Sequence, residues 1–375
     1  MGPSFDDGTS LYNFVVRDGN GVKGMVDSGL TTVPAAYTQP PRERIDKESA
    51  RKHEQPPIDL SRLDGPEHDE VAVEIVRAAE TLGFFQVINH GVPVDLLESL
   101  KDTAHKFFGL PPEQKAVYRS EVSPTPLVKY GTSFVPEKEK ALEWKDYISL
   151  QYVNDAEALQ HWPIEIRIEK YLHGFCFLGM LHLRTSIMMV RKLLEVLMLN
   201  LGMKLVDPKI DALIDKKMVN MNFYPTCLNP ELTVGVGRHS DMGTLTVLLQ
   251  DRIGGLYVKI EEDMKYGKKG EWVEIPPTSG ALVINVGDML QVLSNKRYKS
   301  AEHRVRTTNI ASRVSIPIFT IPKLTEKIAP LPHLVEKDRI AHYREFTFVD
   351  YMKNFFGNAH EGKKSLDFAK NVDSS

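Results

Sequence analysis

Cysteine is nearly absent from this sequence. Its 375 residues include two, Cys176 and Cys227, too few for the disulfide framework that stabilises many small secreted proteins. The N-terminus also lacks the basic and then apolar pattern of a secretory signal. These two observations predict a protein of a reducing compartment, the cytoplasm.

An excess of charge of either sign is missing as well. The 47 basic residues nearly balance the 50 acidic residues, whereas nucleic-acid-binding proteins usually carry a basic surface. The most apolar stretch, residues 171–183, contains His173 and His182 and is followed at once by Arg184, too many polar groups for a membrane span. We therefore expect a monomer that binds neither nucleic acid nor membrane and acts on a small molecule.

The stretch Val234–Gln250 organises the rest of the chain. His239 and Asp241 stand two residues apart at the start of an apolar, β-branched run that predicts a strand. Extended backbone directs residues i and i+2 to the same face, so the imidazole and the carboxylate point toward one centre. His303 lies in a second strand-like segment. Two histidines and one carboxylate are the ligand set of the facial triad that holds non-haem Fe(II).

A His-x-Asp pattern alone is weak evidence for a metal site. The chain has 12 histidines, and His68-Asp69-Glu70 shows a similar pattern in a charged stretch that opens a predicted helix. Solvent exposure is the simpler interpretation of such a pattern. The residues that follow His303 favour the interpretation of His239 and Asp241 as metal ligands.

A polar face follows on the next predicted strand. Period-2 alternation places Arg313, Ser315 and Phe319 on one side, while the alternate positions are apolar. The planar guanidinium of Arg313 suits a carboxylate ligand. The alternative is an exposed arginine on an edge strand. The apolar opposite face argues against this alternative, because it favours a strand inside a sheet. The same alternation occurs upstream, with the polar residues Asn220, Asn222 and Tyr224.

Taken together, these motifs and their spacing resemble the plant 2-oxoglutarate and Fe(II)-dependent dioxygenases, and within them the coumarin-forming branch. The resemblance covers residues 11–371. Besides the motifs above, it is carried by the segments 19–24, 83–91, 130–134, 142–147, 219–225 and 306–309.

The resemblance and the strand spacing from Val219 to Pro322 predict a mainly β fold with added helices, in which a double-stranded β-helix (jelly roll) forms the core. The aromatic residues of the C-terminal tail are expected to cover an open end of this barrel as part of the core. We expect four regions: an N-terminal extension (1–55), a helical N-terminal region (56–210), the jelly-roll catalytic core (211–330) and a C-terminal helical region (331–375).

The resemblance also implies the site. Fe(II), 2-oxoglutarate and O2 are the expected cofactor and co-substrates, with ascorbate as reductant. The implied iron ligands, which are also the catalytic residues, are His239, Asp241 and His303. The implied 2-oxoglutarate contacts are Arg313, Ser315, Tyr224 and Asn222. Phe134 and Phe319 are candidate walls for a flat substrate, because aromatic faces stack on aromatic ligands, although both fit equally well as ordinary core residues.

The reaction expected from the resemblance is aromatic hydroxylation in coumarin biosynthesis, at C8 of scopoletin to give fraxetin. One alternative keeps the chemistry and changes the substrate: ortho-hydroxylation of feruloyl-CoA, which leads to scopoletin. A second alternative is a metal-binding jelly roll without catalysis. Arg313 and Ser315 argue against it, because a metal site alone needs no carboxylate clamp.

Two stretches fit these expectations less simply. Gly19-x-Gly21-x-x-Gly24 matches the dinucleotide-binding fingerprint, but Pro34, Pro40 and Pro41 interrupt the crossover helix that this site needs. By resemblance the segment is a short helix near the pocket. Residues 164–201 look longer and less amphipathic than the family's long helix, which predicts an inserted segment at 173–184.

Overall fold

The computed structural model describes residues 5, 8–45, 51–133, 140–167, 169–171, 174–176, 178–204, 206–264, 267–357 and 362–371. The α-helices are α1 (Gly8–Tyr12), α2 (Gly21–Asp27), α3 (His68–Thr81), α4 (Val94–Phe108), α5 (Pro112–Ala116), α6 (Asp155–His161), α7 (Ile164–Arg167), α8 (Leu178–Asn200), α9 (Asp207–Leu213), α10 (Asp288–Leu293), α11 (Pro332–Asp338), α12 (Phe348–Gly357) and α13 (Lys364–Asp367). The strands are β1 (Arg51–Lys52), β2 (Ile58–Asp59), β3 (Phe84–Ile88), β4 (Val128–Gly131), β5 (Asp146–Tyr152), β6 (Glu169–Tyr171), β7 (Gly174–Cys176), β8 (Lys216–Tyr224), β9 (Val236–His239), β10 (Leu245–Gln250), β11 (Leu256–Lys259), β12 (Trp272–Glu274), β13 (Leu282–Val286), β14 (His303–Val305), β15 (Arg313–Ile321), β16 (Lys327–Ile328) and β17 (Phe346–Thr347).

Two sheets form the centre of the molecule. The larger has eight strands in the order β2-β3-β13-β10-β15-β8-β5-β4, and the smaller has five in the order β1-β12-β11-β14-β9. Apolar side chains from both sheets pack against one another in one cluster, for example Phe84 and Leu248 of the larger with Leu256 and Val305 of the smaller. This is the double-stranded β-helix that was expected. The four-region division of the chain stays a prediction.

The middle of the larger sheet carries the predicted polar face. Strand β15 pairs antiparallel with β8, and the register places Arg313 opposite Tyr224 and Ser315 opposite Asn222. Residues directly opposite in a ladder share one face, so the polar residues of the two strands meet. Strand β10 covers the other side of β15 and is buried along its whole length, which excludes an edge position for Arg313.

Helices cover the outer face of the larger sheet. The apolar stripes of α3 and α4 join the main hydrophobic core together with α8, as their helical periodicity predicts. Helix α8 begins at Leu178, after the hairpin β6–β7. Part of the predicted insertion, including His173, lies outside the described residues; its C-terminal end belongs to α8, where Arg184 forms an ion pair with Asp155. In the described part of the chain, no helix combines the length and the apolarity that crossing a membrane requires.

The glycine motif near the N-terminus binds the chain itself. Helix α2 begins at Gly21, whose φ of +70° favours glycine, and a Cβ there would lie 2.5 Å from a carboxylate oxygen of Asp146. That carboxylate accepts hydrogen bonds from the backbone N–H groups of Val22 (2.7 Å) and Lys23 (2.9 Å). A 3₁₀ turn at Ala35–Tyr37 follows instead of a crossover helix. The N-terminus of α2 is therefore occupied by Asp146.

Candidate metal centre and active-site pocket

The three predicted metal ligands converge in the structure. His239 ends β9 and His303 begins β14, and the two residues are register partners in the smaller sheet. Asp241 follows β9 by two residues, and its Oδ1 lies 3.8 Å from Nε2 of His239 and 3.7 Å from Nε2 of His303. One ligand atom from each residue lies within 4.8 Å of the others. The cluster therefore forms through pairing of two strands that are far apart in sequence.

Backbone carbonyl groups orient both imidazoles. Nδ1 of His239 lies 2.8 Å from the carbonyl oxygen of Gly237, and Nδ1 of His303 lies 3.2 Å from that of Ala301. A carbonyl oxygen only accepts, so each Nδ1 donates the hydrogen bond. Each Nε2 faces Asp241 at the centre of the cluster and is the nitrogen placed to ligate a metal.

The two carboxylate oxygens of Asp241 make different contacts. Its Oδ2 accepts hydrogen bonds from Oγ1 of Thr246 (2.6 Å) and from Nδ2 of Asn285 (2.7 Å). Oδ1 faces the two histidines instead. Hydrogen-bonding partners of this kind fix the orientation of a metal-binding carboxylate, so the arrangement presents one oxygen and two nitrogens to a single ion.

This donor set fits a divalent iron ion. Two imidazoles and one carboxylate suit Fe(II) and leave positions for further ligands. Within the described ranges, it is the one group of three or more such side chains placed to hold a metal. The similar pattern at His68 lies on the surface, where its Nδ1 is 3.1 Å from a carboxylate oxygen of the adjacent Asp69, so solvent exposure was the correct interpretation there.

Arg313 is a buried cation that faces the same pocket. The residue is 1% exposed, and its Nη2 donates a long hydrogen bond to Oε1 of Gln250 at 3.4 Å. Its Nε and Nη1 have no hydrogen-bond partner among the residues that the structure describes. The guanidinium carbon lies 5.0 Å from the ring centre of Tyr224, whose hydroxyl is 3.3 Å from Oγ of Ser315. An unpaired buried charge is costly, and a ligand carboxylate that contacts the guanidinium would offset this cost.

One cavity joins the metal centre to Arg313. Its volume of about 130 Å³ is well above the roughly 10–15 Å³ that one water molecule needs, so a small organic molecule fits. The predicted residues that line it are His239, Asp241, His303, Arg313, Ser315, Tyr224, Asn222 and Phe319. The structure thus brings all of these residues together, whereas Phe134 lies outside the described residues.

Several residues of the pocket were not recognised from the sequence. Phe84 and Lys145 line it, and so do Phe355 and Phe356 of α12. The tail aromatics were expected to be core, which is correct for Phe346, Phe348 and Tyr351. The expectation is wrong for Phe356, which is 39% exposed, because Phe355 and Phe356 line the pocket at the end of α12. Periodicity shows that α12 has an apolar face, yet it does not show which part of the molecule the face contacts.

Lys145 introduces a second cation that is already neutralised. Its Nζ lies 2.9 Å from Oε2 of Glu143, and both side chains are buried. Glu143 also accepts a hydrogen bond at 2.8 Å from the backbone N–H of Gly237, beside His239. Burial acts to lower the pKa of Lys145, but the attraction and hydrogen bond of Glu143, together with the attraction of Tyr224 and Tyr147, outweigh it and the pKa is raised. The pair is therefore charged and, as a unit, neutral.

Comparison with known proteins agrees with this site. The family model for the 2OG-Fe(II) oxygenase superfamily matches residues 216–322, and the model for the N-terminal region of non-haem dioxygenases in morphine synthesis matches residues 56–165. Scopoletin 8-hydroxylase of Arabidopsis thaliana is 61% identical over 99% of this chain and 99% of its own. Feruloyl CoA ortho-hydroxylase F6H1-1 of Ipomoea batatas is 47% identical over 96% of this chain and 97% of its own.

A solved structure shows the same fold with ligands. The crystal structure of JOX2 in complex with 2OG, Fe and JA has a TM-score of 0.76 and 29% sequence identity, and the match covers 93% of this chain and 97% of JOX2. The shared fold, the family models and the full-length relatives lead to one conclusion. The chain belongs to the 2OG-Fe(II) oxygenase superfamily and is a 2-oxoglutarate-dependent dioxygenase that uses iron.

Proposed function

We propose that the protein hydroxylates C8 of scopoletin to give fraxetin. The observation that carries this proposal is the 61% identity to a scopoletin 8-hydroxylase over nearly the whole of both chains. The pocket supports it, since a cluster suited to Fe(II) and an unpaired guanidinium border the same cavity.

In this proposal His239, Asp241 and His303 bind the iron. The carbonyl groups of Gly237 and Ala301 hold the two imidazoles with Nε2 toward the ion. When bound, iron and 2-oxoglutarate supply the oxidation that transfers one oxygen atom of O2 to the substrate, with succinate and carbon dioxide as by-products. Ascorbate would keep the iron reduced. The residues of the chain contribute fixed geometry and exclusion of water.

Arg313 would bind the carboxylate of 2-oxoglutarate that lies away from the iron. Its guanidinium is a planar donor group that matches a carboxylate, and its Nε and Nη1 have no hydrogen-bond partner among the described residues. The hydroxyls of Ser315 and Tyr224 lie next to each other and offer further hydrogen bonds. Asn222 stands opposite Ser315 in the ladder and borders the same space.

The remaining wall suits a flat, uncharged ring. Phe319 belongs to the polar face of β15, and Phe84 and Leu248 belong to the cluster between the two sheets. Phe355 and Phe356 approach from the C-terminal helix. Aromatic rings bind other rings through stacked and edge contacts, so we place the bicyclic lactone among these side chains.

A coenzyme A ester fits the surroundings less well. Its phosphates need basic residues at the mouth of the pocket. Lys23 of α2 is paired with Asp27, and Lys145 is paired with Glu143. The curated relatives named as feruloyl CoA ortho-hydroxylases are less similar to this chain, at 45–47% identity. We therefore expect weak or no turnover of feruloyl-CoA.

We also propose that the protein acts as a monomer in the cytoplasm. The buried, free thiol of Cys227 is compatible with a reducing compartment. Size-exclusion chromatography with light scattering tests the first part: a mass near twice the 42.4 kDa of the chain would contradict it.

The experiment that tests the substrate compares two reactions side by side. The purified protein is supplied with Fe(II), 2-oxoglutarate and ascorbate in air, and scopoletin or feruloyl-CoA is added. We expect succinate formation to accelerate with scopoletin, and mass spectrometry and NMR should identify fraxetin. A 2-hydroxylated cinnamoyl thioester as the main product, with scopoletin unchanged, would overturn the assignment.

A further inference from the structure

A fully buried carboxylate lies directly behind the metal centre. Asp288, the first residue of α10, is 0% exposed, and its backbone N–H donates a 2.7 Å hydrogen bond to the backbone carbonyl of Asp241. Three hydroxyl groups donate to its side chain: Ser240 at 3.1 Å, Ser300 at 2.7 Å and Tyr351 at 2.6 Å. The proposed iron and 2-oxoglutarate contacts do not include this residue.

Each of the three hydroxyls belongs to a different part of the site. Ser240 stands between the proposed ligands His239 and Asp241. Ser300 precedes His303 by three residues. Tyr351 lies on α12, one helical turn before the two phenylalanines that line the pocket. One carboxylate thus connects the segments that carry all three proposed ligands to the helix that closes the pocket.

The chemistry of these contacts makes the connection strong. The three hydroxyls donate to a group that water does not reach, and a buried carboxyl group that loses a donor is left poorly solvated. Movement of α12 away from the pocket would withdraw the Tyr351 hydroxyl from Asp288. That loss would act on both ligand-bearing segments, because Ser240 and Ser300 share the same carboxylate.

We propose that Asp288 is a positioning residue that couples the docking of α12, and with it the pocket wall formed by Phe355 and Phe356, to the geometry of the metal centre. This inference rests on the proposed iron ligands. It predicts that the Tyr351 hydroxyl, which belongs to a helix without any ligand, affects both metal affinity and the fraction of 2-oxoglutarate turnover that ends in substrate hydroxylation.

The test compares two tyrosine-to-phenylalanine variants. Tyr351→Phe removes the donor to Asp288. Tyr298→Phe is the matched control: Tyr298 is also 0% exposed, and its hydroxyl donates instead to the carbonyl of Leu197 on α8 at 2.6 Å. Three quantities are measured: the thermal midpoint, the affinity of the metal-free protein for Co(II) from its absorption spectrum, and the ratio of fraxetin to succinate.

We expect both variants to unfold at a lower temperature than the wild type, since Tyr351→Phe loses the hydrogen bond to Asp288 and Tyr298→Phe loses those to Leu197 and from Asn200. Only Tyr351→Phe should weaken Co(II) binding, by roughly 3- to 10-fold, somewhat less than the 10- to 100-fold typical of groups that contact a ligand directly. Only Tyr351→Phe should lower the fraxetin-to-succinate ratio, by about twofold or more. Equal Co(II) affinity and equal ratios in the two variants would overturn the proposal, because a purely structural role predicts that result.

Substitutions of the carboxylate give a second measurement. Asp288→Asn keeps the shape and one acceptor oxygen, so we expect it to retain more Co(II) affinity than Asp288→Ala. If both bind Co(II) like the wild type, Asp288 has no positioning role. The Co(II) titration needs no substrate, so it remains informative even if scopoletin is not the substrate. If alanine variants of His239, Asp241 and His303 all bind Co(II) like the wild type, the proposed iron site itself is disproved.

Discussion

Replacement of Arg313 by lysine should separate the binding of 2-oxoglutarate from that of the aromatic substrate. Lysine keeps the positive charge but replaces a planar fork with a single ammonium group. In the structure, Nε and Nη1 of Arg313 are buried and have no partner among the described residues, so the guanidinium has donors available to a ligand carboxylate. The variant therefore loses at least one charge-assisted hydrogen bond to the ligand.

The size of the effect follows from that loss. A hydrogen bond that involves a charged group contributes about 1.5–3 kcal/mol, and each 1.4 kcal/mol corresponds to a factor of about ten in affinity. We expect the KM for 2-oxoglutarate to rise by roughly 10- to 100-fold. The KM for scopoletin should change by less than about threefold, because uniform loss of co-substrate binding leaves the ring contacts in place.

The assay measures initial rates of succinate formation with one substrate varied and the other saturating. Arg304→Lys is the matched control: Arg304 is also buried, but its guanidinium stacks on Trp272 at 4.0 Å and does not line the pocket that contains Arg313. We expect Arg304→Lys to leave both KM values nearly unchanged. Equal increases of the two KM values in Arg313→Lys would refute the assignment of the clamp.

Three further predictions follow from the site and the core. Alanine in place of any one of the three proposed iron ligands should abolish Fe(II) binding and turnover while the circular dichroism spectrum stays that of the wild type; normal activity removes that residue from the ligand set. Asn285→Ala removes a 2.7 Å donor to Asp241 and should weaken Co(II) binding about tenfold, and an unchanged titration would contradict this role. Burial lowers the pKa of His182 from 6.5 to about 3, so the folded protein keeps it neutral while the unfolded chain binds a proton below pH 6.5. The contribution of His182 to stability is therefore complete above pH 6.5 and declines on acidification at about 1.4 kcal/mol per pH unit. Urea unfolding should show a loss of about 2 kcal/mol at pH 5 from this residue. The free energy of unfolding of His182→Leu should decline less than that of the wild type, and an equal decline would contradict the prediction.

Much of the site could be predicted because its information is local. The alternation that places Arg313 and Ser315 on one face depends only on the extended backbone, and the structure confirms it in the pairing with β8. His239 and Asp241 also converge as expected, but Asp241 lies two residues beyond the end of β9, so the pair is not part of one continuous strand. The position of His303 could not be predicted from local sequence alone, because its approach to His239 depends on the pairing of β9 with β14. The combination of motifs along the chain supplied this information.

The parts that were missed depend on how distant segments dock. The pocket contacts of Phe355 and Phe356 follow from the position of α12, which the hydrogen bond from Tyr351 to Asp288 fixes across 63 residues. Lys145 could be placed on a strand, but its pairing with Glu143 brings two neighbouring charges into a buried position, where sequence patterns predict exposure. Neither docking nor ion pairing produces a periodic pattern.

The charges of the pocket constrain what it binds. Without ligands, Arg313 is a buried cation with two unsatisfied donors, and Asp241 is a buried carboxylate beside the imidazoles of His239 and His303. Fe(II) and Arg313 together carry three positive charges, and 2-oxoglutarate and Asp241 together carry three negative charges. Lys145 and Glu143 form an ion pair that adds no net charge. With metal and co-substrate bound, the site is neutral, so a neutral aromatic ring enters without an added charge in a poorly solvated space. A ligand present at 100 times its Kd stabilises the fold by about 2.7 kcal/mol. Since we propose that Arg313 binds 2-oxoglutarate, we expect 2-oxoglutarate to raise the melting temperature of the wild type more than that of Arg313→Lys.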